Sequence, residues 1–284
     1  MSISGATVVA GVVGAPVRHS LSPLIHNAWL EAAGIDGVYI ALSPTPESFP
    51  ALLEGLRGGA MQGLNVTLPF KEAALAAADR ASARACRAGA ANLVLFQPDG
   101  SIFADNTDGE GLLSAFAEQA PGFDVAARPA VVLGAGGAAR GAVAALLDAG
   151  VQEVRLVNRT VERAQALAGD LGAGVAVHEW GELREALNGA GAVINATSLG
   201  LAGKEPLAVS LEGLQAGAVV MDMVYRPLHT AFLARATSMR FAAVDGLAML
   251  IGQAAPSFEA FFGQTPPQSV DVRALALAVL GESQ

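Results

Sequence analysis

Short apolar runs alternate with amphipathic stretches along most of the chain. "TVVAGVVG" (7–14) predicts a buried strand, because its apolar run is continuous and bounded by glycine. "SPLIHNAWLEAAG" (22–34) predicts a helix, with Ser22 as N-cap, Pro23 in the first turn and Gly34 as the stop. "GVYIALS" (37–43) predicts a second strand. "ESFPALLEGLRGG" (47–59) predicts a helix that tolerates Pro50 only near its start. "MQGLNVTLP" (61–69) predicts a third strand that runs into Lys71. "ANLVLF" and "SIFADN" flank "QPDG" and predict a hairpin.

The second half repeats the alternation. "GEGLLSAFAEQAP" (109–121) predicts a linking helix. "PAVVLGAGGAARGAVAALLDAG" (129–150) predicts strand, glycine turn and helix in succession. "VQEVRLVNR" (151–159) and "TVERAQALAGDLG" (160–172) predict the next strand and helix. "GAVINATS" (191–198) and "GAVVMDMVY" (217–225) predict two more buried strands, and "GLAMLIGQAAPSFEAFFG" (246–263) a helix. Strands alternating with helices predict an α/β fold with parallel sheets covered on both faces.

Composition supports a globular chain. Of 284 residues, 52% are hydrophobic and only 15% charged, so a large core can be built. The net charge of −9, with no basic run, argues against nucleic-acid binding. A single cysteine, Cys86, excludes an intrachain disulfide and a thiolate zinc cluster. The first basic residue is Arg18, so the apolar start lacks the charged region of a signal peptide. No uninterrupted apolar run is long enough to span a bilayer. These features lead us to expect a cytoplasmic protein without membrane partners and without a metal site.

Candidate chemistry begins at Gly134, Gly136 and Ala139, which fit G-x-G-x-x-G/A between a strand and a helix. Such a turn lets a pyrophosphate approach the backbone at a helix N-terminus, although it also occurs as a purely structural turn. An NAD site carries an acid at the end of the following strand, near the ribose 2′-hydroxyl. This chain has Asn158, Arg159 and Thr160 there, with Arg163 one helical turn on. A guanidinium forks onto phosphate oxygens, so the arginines fit the 2′-phosphate of NADP. The alternative is a solvated basic helix start with Thr160 as its cap.

Lys71 is one of only two lysines, the other being Lys204. Unlike arginine, lysine can exchange its proton, so Lys71 is either a proton-transfer group or a solvated surface residue. Asp105 and Asp108 fit an acidic turn before a helix, and Ser20 and Ser22 fit helix capping. His26 and His229 read as structural. Gln253 is either a buried amide or a ligand contact.

Taken in order, "GAPVRHSLSP", "NVTLPFK", "AGAAN", "DNTDGEG", "GAGGAARG", "NRTVER", "NATS", "DMVY" and "GLAMLIGQ" resemble the shikimate dehydrogenase family. The resemblance implies an N-terminal α/β substrate domain over 1–110, completed by 247–284, and an NADP-binding Rossmann domain over 111–246. The C-terminal helices would return to the first domain.

It also implies roles for individual residues. Lys71 and Asp108 would be the catalytic pair. Ser20 and Ser22 would bind the substrate carboxylate. Asn65, Thr67, Lys71, Asn92, Asp108 and Gln253 would bind ring hydroxyls, and Tyr225 would line the substrate end. Gly134, Ala135, Gly136, Gly137 and Ala138 would cradle NADP. Arg159, Thr160 and Arg163 would hold its 2′-phosphate, Met223 and Gly246 would lie near the nicotinamide, and Asn158 and Thr197 would also contact the cofactor.

The expected reaction is reversible NADPH-dependent reduction of 3-dehydroshikimate to shikimate, with a homodimer as a candidate assembly. A quinate or aminoshikimate dehydrogenase and a non-catalytic NADP sensor are the alternatives. The chain departs from the family's usual pattern at Leu93, where threonine is common, and at Ala15, where asparagine is common.

Overall fold

The computed structural model describes residues 3–59 and 61–281, which fold as two compact units. The first comprises residues 3–107 and 253–281 of the described chain, and the second residues 108–252. No helix among the described residues is long and apolar enough to cross a membrane.

The first unit contains β1 (Val8–Val13), α1 (Ser22–Ala33), β2 (Gly37–Leu42), α2 (Phe49–Gly55), β3 (Met61–Val66), α3 (Lys71–Ala76), β4 (Arg80–Ala81), α4 (Ala83–Ala88), β5 (Leu93–Phe96) and β6 (Ile102–Asp105). Its sheet runs β2-β1-β3-β5-β6-β4. The sheet is mixed rather than parallel. The hairpin at residues 97–100, closed by Gln97 N–H donating to the Ser101 carbonyl at 2.8 Å, makes β5 antiparallel to both β3 and β6. Val13, Leu64, Val66, Phe70, Val94 and Ile102 form part of a core that also takes Phe49 and Leu53 from α2.

The start of α1 corrects one expectation. Leu21, not Ser22, holds the N-cap position, and no side chain caps the helix. Leu21 is already in helical conformation, so Ser22 becomes the first helical residue, and its N–H donates to Ser20 Oγ at 3.3 Å. Gly34 stops the helix as expected. Its φ of +65° is the left-handed region, and its N–H closes on the carbonyls of Leu30 and Glu31.

The second unit contains α5 (Asp108–Gln119), β7 (Ala130–Leu133), α6 (Gly137–Asp148), β8 (Val154–Asn158), α7 (Val161–Leu171), β9 (Val175–Glu179), α8 (Leu183–Leu187), β10 (Ala192–Asn195), β11 (Val219–Asp222), α9 (Ala231–Ser238) and β12 (Ala242–Val244). Helix α10 (Gly246–Phe262) starts here and ends in the first unit, which α11 (Val272–Leu280) completes.

All six strands of the second unit are parallel, in the order β12-β11-β10-β7-β8-β9. Alternate side chains serve opposite cores. Ala130, Val132, Ala192, Ile194, Val219 and Met221 pack on one face, and Val131, Leu133, Val193 and Val220 on the other. This double burial is why the strands are continuous apolar runs. The order reverses between β7 and β10, and parallel sheets bind ligands at that switch, beyond the strand carboxyl ends.

Candidate functional site

In the first unit, one end of the sheet collects the polar residues singled out in the sequence. β3 ends in Asn65 and Val66, and Thr67 follows directly. Thr67 N–H donates to the Val13 carbonyl at 2.9 Å, which ties the β3 exit to the β1 exit. That approach requires glycine at position 14, because a Cβ there would lie 2.4 Å from Thr67 Cγ2. Lys71 opens α3, and its carbonyl accepts Ala91 N–H at 2.9 Å, which brings the residue before Asn92 alongside. Ser20 and Ser22 sit at the start of α1, beyond β1.

Asn65 and Asn92 are 5% and 2% exposed and fully engaged in orientation. Asn65 Oδ1 accepts from the Tyr39 hydroxyl at 2.7 Å, and its Nδ2 donates to Ser257 Oγ at 2.8 Å and to the Asn92 carbonyl at 3.2 Å. Asn92 Nδ2 donates to Thr107 Oγ1 at 2.9 Å and to Gln253 Oε1 at 3.2 Å, while its Oδ1 accepts Thr107 N–H at 2.7 Å. The structure therefore brings Asn65, Asn92 and Gln253 into one buried network. Gln253 is thus a buried amide with a local bond to Asn92, the first of the two readings open to it from the sequence.

Tyr39, Thr107 and Ser257 complete this network, and the sequence alone assigns them no role. Tyr39 reads there only as a strand residue, and its being one of two tyrosines is the available signal. Burial pushes its hydroxyl far above the ordinary tyrosine range, while the neighbouring Ser22 side chain pulls it down. Leu93 is 2% exposed and belongs to the interior, so it adds no polar group where the family commonly has threonine.

Asp105 has a structural part. Burial raises its carboxyl, but hydrogen bonds from Arg84, Ser82 and Asn106 N–H outweigh this and hold it below the usual carboxylate range. Asp108 is the first residue of α5 and belongs to the second unit, as does Tyr225, which lies past β11. Burial raises the Tyr225 hydroxyl despite the nearby Arg226 charge.

The glycine turn of the second unit fits a pyrophosphate. Gly134 has a φ of +113°, so a side chain there would be strained, and its N–H donates to the Val157 carbonyl at 2.8 Å. Gly136 holds the N-cap position of α6, followed by Gly137, and a Cβ on either would meet nothing within 4 Å. The space beside Gly136 and Gly137, flanked by Ala135 and Ala138, is therefore open at a helix start, where the first N–H groups of any helix lack an intrahelical partner and can meet an anion. Ala139 is fully buried, which brings α6 close to the sheet.

At the β8 exit, Arg159, Thr160 and Arg163 are exposed. Neither arginine forms an ion pair among the described residues, in contrast to Arg140 with Asp170 and Arg155 with Glu153. Asn158 Nδ2 donates to the Thr160 carbonyl at 2.7 Å, which shapes the turn. Thr160 occupies the N-cap of α7 but its side chain makes no capping bond, contrary to the capping role open to it from the sequence. Its backbone angles (φ −101°, ψ 99°) keep an extended conformation without that bond. No group of three or more His, Cys, Asp or Glu arranged to hold a metal occurs among the described residues.

Thr197 follows β10, Met223 follows β11 and Gly246 opens α10, so all three lie on the other side of the β7 switch from Arg159. A Cβ on Gly134 would meet Thr197 Cγ2 at 3.1 Å, and one on Gly246 would meet the Met223 carbonyl at 2.4 Å. The glycines let these turns approach closely.

Three family models match the chain. They are a shikimate dehydrogenase substrate-binding domain over residues 12–94, shikimate/quinate 5-dehydrogenase over 116–207, and a shikimate 5′-dehydrogenase C-terminal domain over 246–276. The shikimate dehydrogenase (NADP(+)) of Caulobacter vibrioides is 57% identical, over 99% of each chain. Shikimate 5-dehydrogenase from Thermus thermophilus, solved in complex with NADP(H) and shikimate, superposes with a TM-score of 0.84 at 39% identity, over 96% of this chain and all of that one. Quinate dehydrogenase from Corynebacterium glutamicum, solved with NAD, reaches a TM-score of 0.87 at 29% identity, over 96% of this chain and 99% of that one. With so close a relative matched over nearly its whole length, the chain belongs to the shikimate dehydrogenase family.

Proposed function

We propose that the chain catalyses the reversible NADPH-dependent reduction of 3-dehydroshikimate to shikimate. The observation that carries this reading is the pair of unpaired guanidiniums, Arg159 and Arg163, at the strand end where an NAD site places an acid. The naming of the Caulobacter and Thermus relatives for NADP and shikimate supports it.

Bound NADP supplies the hydride acceptor for alcohol oxidation and, reduced, the donor for the reverse step. The chain supplies position and proton handling. Arg159 and Arg163 fork onto the 2′-phosphate, and the α6 N-terminus meets the pyrophosphate. Lys71 accepts the proton of the hydroxyl being oxidised and returns it in reduction, while Asp108 orients that hydroxyl. Ser20 and Ser22 donate to the carboxylate. Asn65, Thr67, Asn92 and Gln253 discriminate the ring hydroxyls, since a site with buried amides rejects analogues that leave them unpaired. Tyr225 lines the substrate end, and Thr197, Met223 and Gly246 the nicotinamide end. The reading carries a cytoplasmic place of work, and a homodimer as the assembly to test by light scattering.

The quinate reading rests on the NAD-bound Corynebacterium relative. Quinate adds a hydroxyl at the ring carbon that bears the carboxylate, for which the two small serines offer no further partner. The test is kcat/KM for shikimate and quinate, each with NADP and NAD, followed at the nicotinamide absorbance. Shikimate with NADP should be highest. A ratio favouring quinate would overturn the substrate, and one favouring NAD the cofactor.

A further inference from the structure

Buried polar groups of the second unit gather at the carboxyl ends of β10 and β11. Asn195 and Asp222 are fully buried and stand opposite each other in the strand register. Asn195 Nδ2 donates to Asp222 Oδ1 at 2.9 Å and to the Leu199 carbonyl at 3.1 Å. Asn195 Oδ1 accepts from the Thr197 N–H at 3.0 Å and the Thr197 hydroxyl at 2.7 Å. Asp222 Oδ1 also accepts Val224 N–H at 3.0 Å, and Oδ2 accepts the Thr230 hydroxyl at 2.7 Å. Thr230 in turn caps α9 through Leu233 N–H at 3.3 Å.

A single carboxylate thus joins the turn after β10, the turn after β11 and the start of α9. Burying a carboxylate is costly, and parallel pairing of β10 with β11 does not need it. Its bonds go to the turns instead. Those turns lie across the β7–β10 switch from the β8 exit. A dinucleotide straddles such a switch with one nucleotide on each side. The β8 side carries the exposed arginines that suit the 2′-phosphate, which leaves the β10–β11 side for the reacting nicotinamide.

We propose that Asp222 is a positioning residue for hydride transfer. Through Asn195 and Thr230 it sets the turns that bear Thr197, Met223 and Tyr225, and so the placement of the reacting ring. The proposal rests on the NADP reading above. It separates two duties within one nucleotide site: the β8 exit governs grip on the 2′-phosphate half, and the Asp222 network governs how the nicotinamide half is seated.

The test compares Asp222→Asn, Thr230→Val and Thr230→Ser with the parent chain. Turnover is followed with NADPH and with NADPH deuterated at the transferred position. Calorimetry gives Kd for NADPH and for 2′,5′-ADP, which carries the 2′-phosphate but no nicotinamide. Asp222→Asn and Thr230→Val should lower kcat by about ten- to a hundredfold, the scale of small misplacements in a reacting pair. They should also raise the deuterium isotope effect on kcat and leave Kd for 2′,5′-ADP unchanged. Thr230→Ser, which keeps the hydroxyl, should restore parent kinetics.

A lowered melting temperature with unchanged kcat and isotope effect would overturn the proposal. So would a parallel loss of 2′,5′-ADP binding. If the parent chain turns over no shikimate, the functional reading fails separately. The network is then read from the affinity ratio of NADPH to 2′,5′-ADP. A fall in that ratio in Thr230→Val upholds the proposal, and a constant ratio overturns it.

Discussion

The Tyr39 hydroxyl donates a 2.7 Å hydrogen bond to Asn65 Oδ1, and this bond decides which way the Asn65 amide faces. With Oδ1 turned to Tyr39, both Nδ2 protons go to Ser257 and the Asn92 carbonyl. Any substrate hydroxyl meeting Asn65 must then donate to Oδ1. Tyr39→Phe keeps the ring stacked on His26, at a centroid distance of 4.0 Å, and removes only the hydroxyl. We expect a loss of about 1–3 kcal/mol in urea unfolding, the cost of one unsatisfied buried acceptor. KM for shikimate should rise while KM for NADP stays constant. An unchanged shikimate KM would detach Tyr39 from the site.

His26 gives the chain a distinctive acid response. It is fully buried, and neither ring nitrogen has a hydrogen-bond partner among the described residues. Burial lowers its pKa from 6.5 to about 3. Below pH 6.5 the unfolded chain therefore binds a proton that the folded chain does not. Stability falls as pH drops from 6.5 toward 3, by up to about 1.4 kcal/mol per pH unit. His26→Phe keeps an aromatic ring against Tyr39 and cannot titrate. Urea titrations at pH 7 and 4.5 should show the parent losing more stability than the variant. Parallel losses would show that this histidine does not govern the acid limb.

Arg159→Ala should weaken NADP binding about ten- to a hundredfold, the range for a lost hydrogen bond to a charged group. NAD binding should barely change. Equal losses for both nucleotides in a titration would remove the 2′-phosphate assignment.

Lys71→Ala should collapse kcat with a modest change in substrate affinity, the pattern of an interaction made mainly in the transition state. Lys71→Arg keeps a positive charge but cannot exchange the proton, so it should not rescue turnover. A fully active Lys71→Arg protein would exclude proton transfer by this residue.

The second unit is the more legible in the sequence, because doubly buried parallel strands leave uninterrupted apolar runs and Gly134 marks the turn. β9 and β12 escape that reading. Every residue of Val175–Val177 is only half-buried at a sheet edge, and Ala242–Val244 is three residues long. The stretch from Lys71 to Ala88 is equally opaque, since α3, β4 and α4 have six, two and six residues and show no period. The hairpin expected at "QPDG" is present and sets β5 against β6, but the alternation of strands and helices does not foretell that β5 also runs antiparallel to β3 and makes the first sheet mixed.

Site residues divide in the same way. Gly134, Arg159 and Lys71 announce themselves by spacing and rarity along the chain. Asp222 does not, because its partner Asn195 is 27 residues away and becomes a neighbour only through the strand order. Ser257 meets Asn65 across 192 residues, so its role depends on the whole fold of the first unit.

The solvent-facing arginines of the β8 exit have a consequence for cofactor choice itself. A phosphate forked by these arginines would sit at the solvent boundary, where dissolved ions compete for the guanidiniums and screen charge over about 8 Å at physiological ionic strength. Raising potassium chloride should erode affinity for NADP far more than for NAD. Discrimination between the two nucleotides is then a property that the chain shares with its medium, sharpest in dilute buffer and blunted in brine.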